Sequence, residues 1–333
     1  MRDLARTEDQ ETLAEVVSAL LQRRSDSAAA RAAAASEAGY DEDLWRQLCE
    51  QVGVAALPIP EEYDGAGASL VESGVVLEEI GRNLTPSPLL ATTIATAALL
   101  LVGGARTGSL LRRVATGEVA TVDLDGSVEA LVLDASAAAL HLRVREGALE
   151  LLEDPHVDAV GCLDQTMRLG RVRGGSSTSL GAVDAEVLGD LAAALVSAVQ
   201  VGTAQHGLDL TVAYSRERVQ FGRPIGSFQA LKHRMADMLV RVEASRSVSW
   251  GALAAGAAYL RAPGPERARQ LHRTAAAARS YCTESLQHVA AETVQLHGGV
   301  AITWEHDAQL VLKRAQSIAA ILAPPHLARA GLV

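Results

Sequence analysis

The spacing of apolar and polar positions changes period twice along the chain. Up to about residue 104 the apolar residues recur at helical spacing: over Thr12–Arg24, along the alanine-rich run after Ser27, over Asp41–Val52 and over Ser69–Leu84. Asp41 is placed as an N-cap for the segment it opens, and Gly53 is a natural stop after it. The next segment, PIPEEYDGAGAS, is a loop rich in proline and glycine. From 105 to 180 the runs become short, alternating or β-branched and are cut by turn residues. ATVDLD, EALVLDA, LHLRVREG, LELLE and TMRLGRVRG read as strands, and GGSSTS at 174–179 as a linker. Helical spacing then returns in four long blocks: Asp184–Arg216, Phe228–Leu260, Pro265–Leu296 and, roughly, Glu305–Leu322. Two antiparallel pairs of such helices suit a four-helix bundle. The pattern predicts a mainly α fold with a small β domain: a helical domain over 1–104, a β domain over 105–180 and a helical bundle over 181–333.

Composition agrees. Hydrophobic residues are 49% of the 333, inflated by alanine, and aromatics only 3%, which favours closely packed helices over sandwiches or barrels. A net charge of -10 argues against a broad nucleic-acid footprint, although a local basic pocket for one anionic cofactor is compatible with it. Cys49, Cys162 and Cys282 are far apart and lack CxxC spacing, so they read as buried small hydrophobes rather than disulfides, zinc ligands or nucleophiles. The charged N-terminus lacks a signal-peptide core, and the most apolar stretch, Leu89–Val102, is too short and threonine-rich to span a bilayer comfortably. A soluble, cytoplasmic protein without a membrane span is expected.

The segment richest in chemistry is SRERVQFGRPIGSFQALKHRMADM, residues 215–238. It is a helix end, a tight loop and a new helix start. Arg216, Arg218 and Arg223 gather around Gly222, Phe221 stands beside them, and Pro224 and Gly226 stiffen and turn the connection. A forked guanidinium beside a glycine turn can grip a diphosphate bidentately. Taken alone, the same segment also fits a solvated interhelical loop whose arginines cap carbonyls.

The wider match decides between them. This segment resembles the acyl-CoA dehydrogenase signature ERxQFGxPIxxFQxxxxxxADM. VQLHGGVAITWEHDAQLVLKRA, residues 294–315, is similar to that family's C-terminal segment. LWRQLCEQVGVAALPIPEEYDGAGASLVESGVVLEEIGRNL resembles its N-terminal pattern. The resemblance covers nearly the whole chain and implies three parts: an N-terminal helical domain, a middle β domain and a C-terminal four-helix bundle. It also implies FAD, with the ADP half bound partly by a neighbouring subunit. By motif position Arg218 is expected on the diphosphate with Phe221 packed beside it, and Phe228 and Gln229 close to the cofactor. Gln295, Gly298 and Gly299 are expected to let backbone approach the partner's FAD. The glycines also read as a helix C-cap, and the two roles coexist.

Family members abstract an α-proton from an acyl-CoA thioester with a carboxylate at one of two positions. One follows the glycine pair by about two dozen residues, which here reaches Leu322, and no acid occurs after Asp307. Glu305 and Asp307 sit directly after the glycine loop, where a cap or surface role is expected. The other position lies 26 residues before the FAD arginine, which is Ala192. The nearest acid, Asp190, is rotated from it by about 200° around a helix. One turn either side stand Leu188, Gly189, Leu195 and Val196. The family's YAxTEPxAGSD-like segment, which holds the flavin ring, has no counterpart either, so the β domain reads as shortened. These departures resemble the non-catalytic chain of actinobacterial heteromeric (α2β2) acyl-CoA dehydrogenases, as does the TWEHDAxL wording. The expectation is a subunit that completes the FAD site of a second acyl-CoA dehydrogenase chain, with an acyl-CoA substrate and electron-transfer flavoprotein as acceptor. The alternatives are a self-sufficient homo-oligomeric dehydrogenase using Asp190, and a scaffold without flavin.

Overall fold

Helix starts are fixed by side chains that satisfy otherwise unpaired amides. In a computed structural model, which describes residues 6–127 and 129–322, Thr7 and Gln10 form a reciprocal capping box at the head of α1 (Glu8–Arg24). Asp26 caps α2 (Ser27–Ala35), and Asp41 Oδ1 accepts from the Leu44 amide at 2.9 Å to open α3 (Glu42–Gln47). The latter helix widens into a π-helical turn over Leu48–Val52 and stops at Gly53, which sits in the left-handed region at φ 75° as expected. Ser69 and Glu72 cap α4 (Leu70–Arg82) in the same reciprocal manner.

Two expectations are overturned here. Residues 105–115, taken as the beginning of the β zone, form a helix, α6 (Ala105–Ala115), directly after α5 (Leu89–Val102). The run read as a linker is mostly β7 (Ser176–Ala182), an edge strand paired antiparallel with β4 (Ala148–Glu153). Its small polar residues are largely exposed, so the composition of a linker and of a solvated edge strand coincide. The other strands are β1 (Ala120–Asp123), β2 (Val132–Leu133), β3 (Leu140–Arg145), β5 (His156–Val160) and β6 (Leu169–Arg173). They make a four-stranded sheet ordered β1-β3-β4-β7, with β1 parallel to β3, and a three-stranded antiparallel sheet ordered β2-β6-β5. Val132, Ala135, Leu152 and Val172 make a small core of their own, while Ala120, Leu140, Leu142, Val144 and Leu149 of the four-stranded sheet join the main core with the helices.

The C-terminal bundle consists of α7 (Ala185–Glu217), α8 (Gln229–Arg261), α9 (Pro265–His297) and α10 (Ala308–Ile321). Helix α7 is apolar and long enough to cross a membrane, but it is buried in the bundle, packed against α8, α9 and α4. Its crossing with α4 is a backbone contact. A Cβ on Gly202 would stand 1.9 Å from the Glu78 carbonyl, and one on Gly81 would stand 2.3 Å from that of Val199. The three-stranded sheet is fastened to the bundle by a buried pair: Arg314 Nε of α10 donates to Asp164 Oδ2 at 2.7 Å, and the same guanidinium meets Thr166. Arg168 donates to the carbonyls of Ala34 and Ser36 at the end of α2, tying the N-terminal helices to the same point.

Candidate functional site

Between α7 and α8 the chain makes a two-residue hairpin, β8 (Val219–Gln220) with β9 (Arg223–Pro224). Its central residues, Phe221 and Gly222, both have positive φ, 53° and 77°, which is the type I′ geometry that the twist of paired strands selects. Glycine takes this conformation freely, whereas phenylalanine is strained in it. The result is a phenyl ring thrust outward and 92% exposed. Behind it Phe228 closes an edge-to-face pair with ring centroids 6.1 Å apart, and the Arg223 guanidinium lies 4.1 Å over the Phe228 ring. Ile225 N donates to the Arg218 carbonyl at 2.8 Å, and Arg218 N to that of Tyr214 at 2.9 Å, so the loop is anchored to the last turn of α7. The Arg218 side chain is exposed, as is Gln229 at the start of α8.

The second loop predicted for the cofactor meets the first at this end of the bundle. Gly298, at φ 64°, caps α9 by donating to the Val294 carbonyl, and Gly298, Gly299 and Gln295 are exposed. Nothing lies within 4 Å of where a Cβ on either glycine would sit. The link between the loops is a set of rings. Tyr214 stacks on His297 at 4.4 Å and 26°, and His306 packs edge-on to His297 at 4.8 Å. Sequence reasoning passed over these three residues. Their signal was position alone: Tyr214 lies four residues before Arg218, and His297 directly precedes the glycine pair.

Both expected base positions lack an acid in three dimensions as well. Ala192 is fully buried among apolar neighbours on α7, and Leu322 lines a cleft of about 570 Å³ together with Ile94, Leu124, Gly189 and Ile321. The end of the sequence searched for a base, residues 323–333, lies outside the described residues. Asp190 is not on the cleft wall, although Ala185 and Gly189 are. Its carboxylate pairs with His272 Nδ1 at 3.1 Å on α9, and burial raises its pKa against the opposing pull of that histidine. Three described acids line the cleft: Asp125 Oδ2 accepts from the Ser127 hydroxyl at 2.6 Å, and Asp123 is committed elsewhere. One of its oxygens accepts the amides of Asp125 and Gly126, and the other takes Arg143 Nε at 3.1 Å. Glu129 pairs with Arg171 at 3.1 Å. Burial pushes the Cys49 and Cys282 thiols up to about 12, so neither is a thiolate at neutral pH. No metal-binding group of His, Cys, Asp or Glu occurs among the described residues.

Comparison with known proteins bears on this geometry directly. The acyl-CoA dehydrogenase N-terminal domain family matches residues 7–118, and the C-terminal domain family matches residues 190–321. The chain is 45% identical to the acyl-CoA dehydrogenase IpdE2 of Mycolicibacterium smegmatis over 96% of both chains. To IpdE2 of Mycobacterium tuberculosis it is 43% identical over 96% of this chain and 94% of that one. This chain belongs to the acyl-CoA dehydrogenase family. Among solved structures, a chain of a Tcur3481–Tcur3483 steroid ACAD variant superposes with a TM-score of 0.87 at 25% identity, covering 98% of this chain and 96% of that one. A chain of the ChsE4–ChsE5 complex from Mycobacterium tuberculosis superposes at 0.85 and 23% identity, covering 98% and 97%, and shows the same fold.

Membership of the acyl-CoA dehydrogenase family brings FAD as the cofactor, and the residues present fit its two halves unequally. At the hairpin end, exposed guanidinium groups, an outward aromatic ring and an open glycine turn are the donor set that a diphosphate and its nucleoside require. After β1, where a flavin-ring segment would be expected, the backbone amides of Asp125 and Gly126 are already satisfied by Asp123. That loop offers a ring none of these donors.

Proposed function

We propose that this chain is the non-catalytic subunit of a heteromeric acyl-CoA dehydrogenase and completes the FAD site of a second, base-bearing chain. One observation carries the reading: the two halves of a dehydrogenase site are uncoupled here. Arg218, Phe221, Gly298 and Gly299 stand exposed, while of the two base positions one is Leu322 on the wall of the chain's own cleft and the other is Ala192, buried in α7 and away from that cleft. In the assembled enzyme FAD supplies the hydride acceptor for α,β-dehydrogenation of an acyl-CoA thioester. This chain's part is to hold the diphosphate with Arg218, flanked by Phe221 and Phe228, and to bring the 298–299 backbone close, with Gln229 and Gln295 adjacent. The paired names of the Tcur3481–Tcur3483 and ChsE4–ChsE5 structures support a two-chain assembly, and the former supports a steroid-derived acyl group. Electron-transfer flavoprotein, in the cytoplasm, is the acceptor we assign.

The test is expression of the chain alone and together with the acyl-CoA dehydrogenase encoded beside it. The expected result is a colourless chain alone, and a yellow, active complex of both chains that loses FAD when Arg218 is replaced by alanine. Stoichiometric FAD and turnover by the isolated chain would overturn the proposal. In that case Asp190→Asn decides whether Asp190 is the base.

A further inference from the structure

We infer that Tyr214, His297 and His306 are positioning residues that hold the Arg218 hairpin and the 298–299 glycine turn in one fixed arrangement for the FAD diphosphate. The inference rests on the function proposed above. The three rings come from three separate elements: the last turn of α7, the last residue of α9, and the segment that leads into α10. Each is tied to a backbone group that matters at the site. Arg218 N donates to the Tyr214 carbonyl, the Tyr214 hydroxyl approaches the His297 carbonyl at 3.4 Å, and Gly298 follows His297 in the chain. His306 Nδ1 accepts from the Ala308 amide at 3.1 Å and so starts α10. A shift of the Tyr214 or His297 ring is therefore passed to a loop expected on the cofactor, and His306 acts through its contact with His297.

Packing alone does not account for the imidazole of His297. Its Nδ1 donates to the Thr293 carbonyl at 2.7 Å, and the backbone of Leu210 on α7 offers the ring a second polar neighbour, so the buried imidazole lies between α9 and α7. A leucine would fill comparable space without burying a polar ring. What leucine cannot supply is a flat face for Tyr214 together with an edge contact for His306, the geometry in which aromatic pairs hold a fixed mutual orientation.

The experiment uses the co-expressed two-chain holoenzyme and measures FAD affinity by recovery of flavin fluorescence, with partner association followed by size-exclusion chromatography. His297→Ala is expected to weaken FAD binding about tenfold, the upper range for loss of an aromatic pair, without dissociating the chains. His297→Phe keeps the stack and loses the hydrogen bond, and is expected to restore most of the affinity. In an Arg218→Ala background, His297→Ala should add little, because it acts through that loop. Unchanged affinity in His297→Ala, full additivity with Arg218→Ala, or a His297→Phe variant as weak as His297→Ala would each overturn the inference. If Arg218→Ala leaves FAD affinity unchanged, the function proposed above fails and this inference with it. If Arg218→Ala weakens binding and His297→Ala does not, only the positioning role fails.

Discussion

Phenylalanine at the first central position of a type I′ turn works against local stability, since asparagine or glycine would take that backbone with less strain. Phe221→Asn is expected to raise the thermal stability of the chain slightly, by at most ~1 kcal/mol, because the left-handed strain is relieved. It should lower the FAD-to-protein ratio of the two-chain complex, as the outward ring is lost. Thermal unfolding and flavin absorbance of the same preparation check both. Asp134 shows the opposite economy. It too has positive φ, 50°, and its amide donates to the Arg168 carbonyl at 2.9 Å. Burial pushes its carboxyl up to about 7, in spite of Arg168 and Arg314 nearby. With the folded pKa above the ordinary 3.8, the proton stays on in the folded state while the unfolded chain ionises. The contribution is therefore intact below about pH 4, is lost as pH rises towards 7, and is constant beyond. Asp134→Asn keeps a side chain suited to the turn and removes the titration. It should stabilise the chain on the order of 2 kcal/mol at pH 8 and not at pH 4, measured by denaturant unfolding at the two values.

At the level of elements, the α4–α7 crossing depends on two glycines with no room for a methyl group. Gly202→Ala would drive its Cβ into the Glu78 carbonyl and force the helices apart, at a cost of ~3 kcal/mol. Gly251→Ala, inside α8 with nothing within 4 Å, is the control, and should stabilise by ~0.5–1 kcal/mol through helix propensity. Urea midpoints of the two variants on either side of the parent check the pair. The long elements were legible in the sequence because their apolar period continues for many turns: α7, α8 and α9 match their anticipated blocks to within a residue or two at each end. The short ones were not. The apolar positions of α6, Leu110, Leu111 and Val114, are too few to set a period, and Gly103–Gly104 before them imitates a domain border. For β7 the serines and threonines of a solvated edge carry no alternation. The hairpin of the candidate site was legible as a motif, since its arginines and glycine are contiguous. The ring stack was not, because Tyr214, His297 and His306 meet only through the packing of three helix ends.

Across the whole molecule the N-terminal helices, the three-stranded sheet and the bundle meet at one buried polar point, while the four-stranded sheet shares the main apolar core with the helices. Asp164 and Arg314 are almost wholly excluded from water, and Arg314 spans from α10 to the loop between β5 and β6. Ser317 of α10 accepts from the Asp164 amide at 3.0 Å, and Arg168 reaches from the same loop to the end of α2. A buried pair of this kind adds little over a well-packed apolar substitute, but removing one partner leaves an uncompensated charge in the interior. Arg314→Met is thus expected to cost ~3–5 kcal/mol. The loss should fall unevenly, since the bundle and the four-stranded sheet share the main core while the three-stranded sheet keeps only a core of a few side chains. Unfolding followed by calorimetry should separate into two transitions, the first assigned to the three-stranded sheet by hydrogen exchange over residues 156–173. A single transition in Arg314→Met, merely displaced to lower temperature, would show that the three-stranded sheet and the bundle remain one cooperative unit without this pair. Because the hairpin and glycine turn lie on the bundle, the variant should still associate with a partner chain and retain FAD below the first transition.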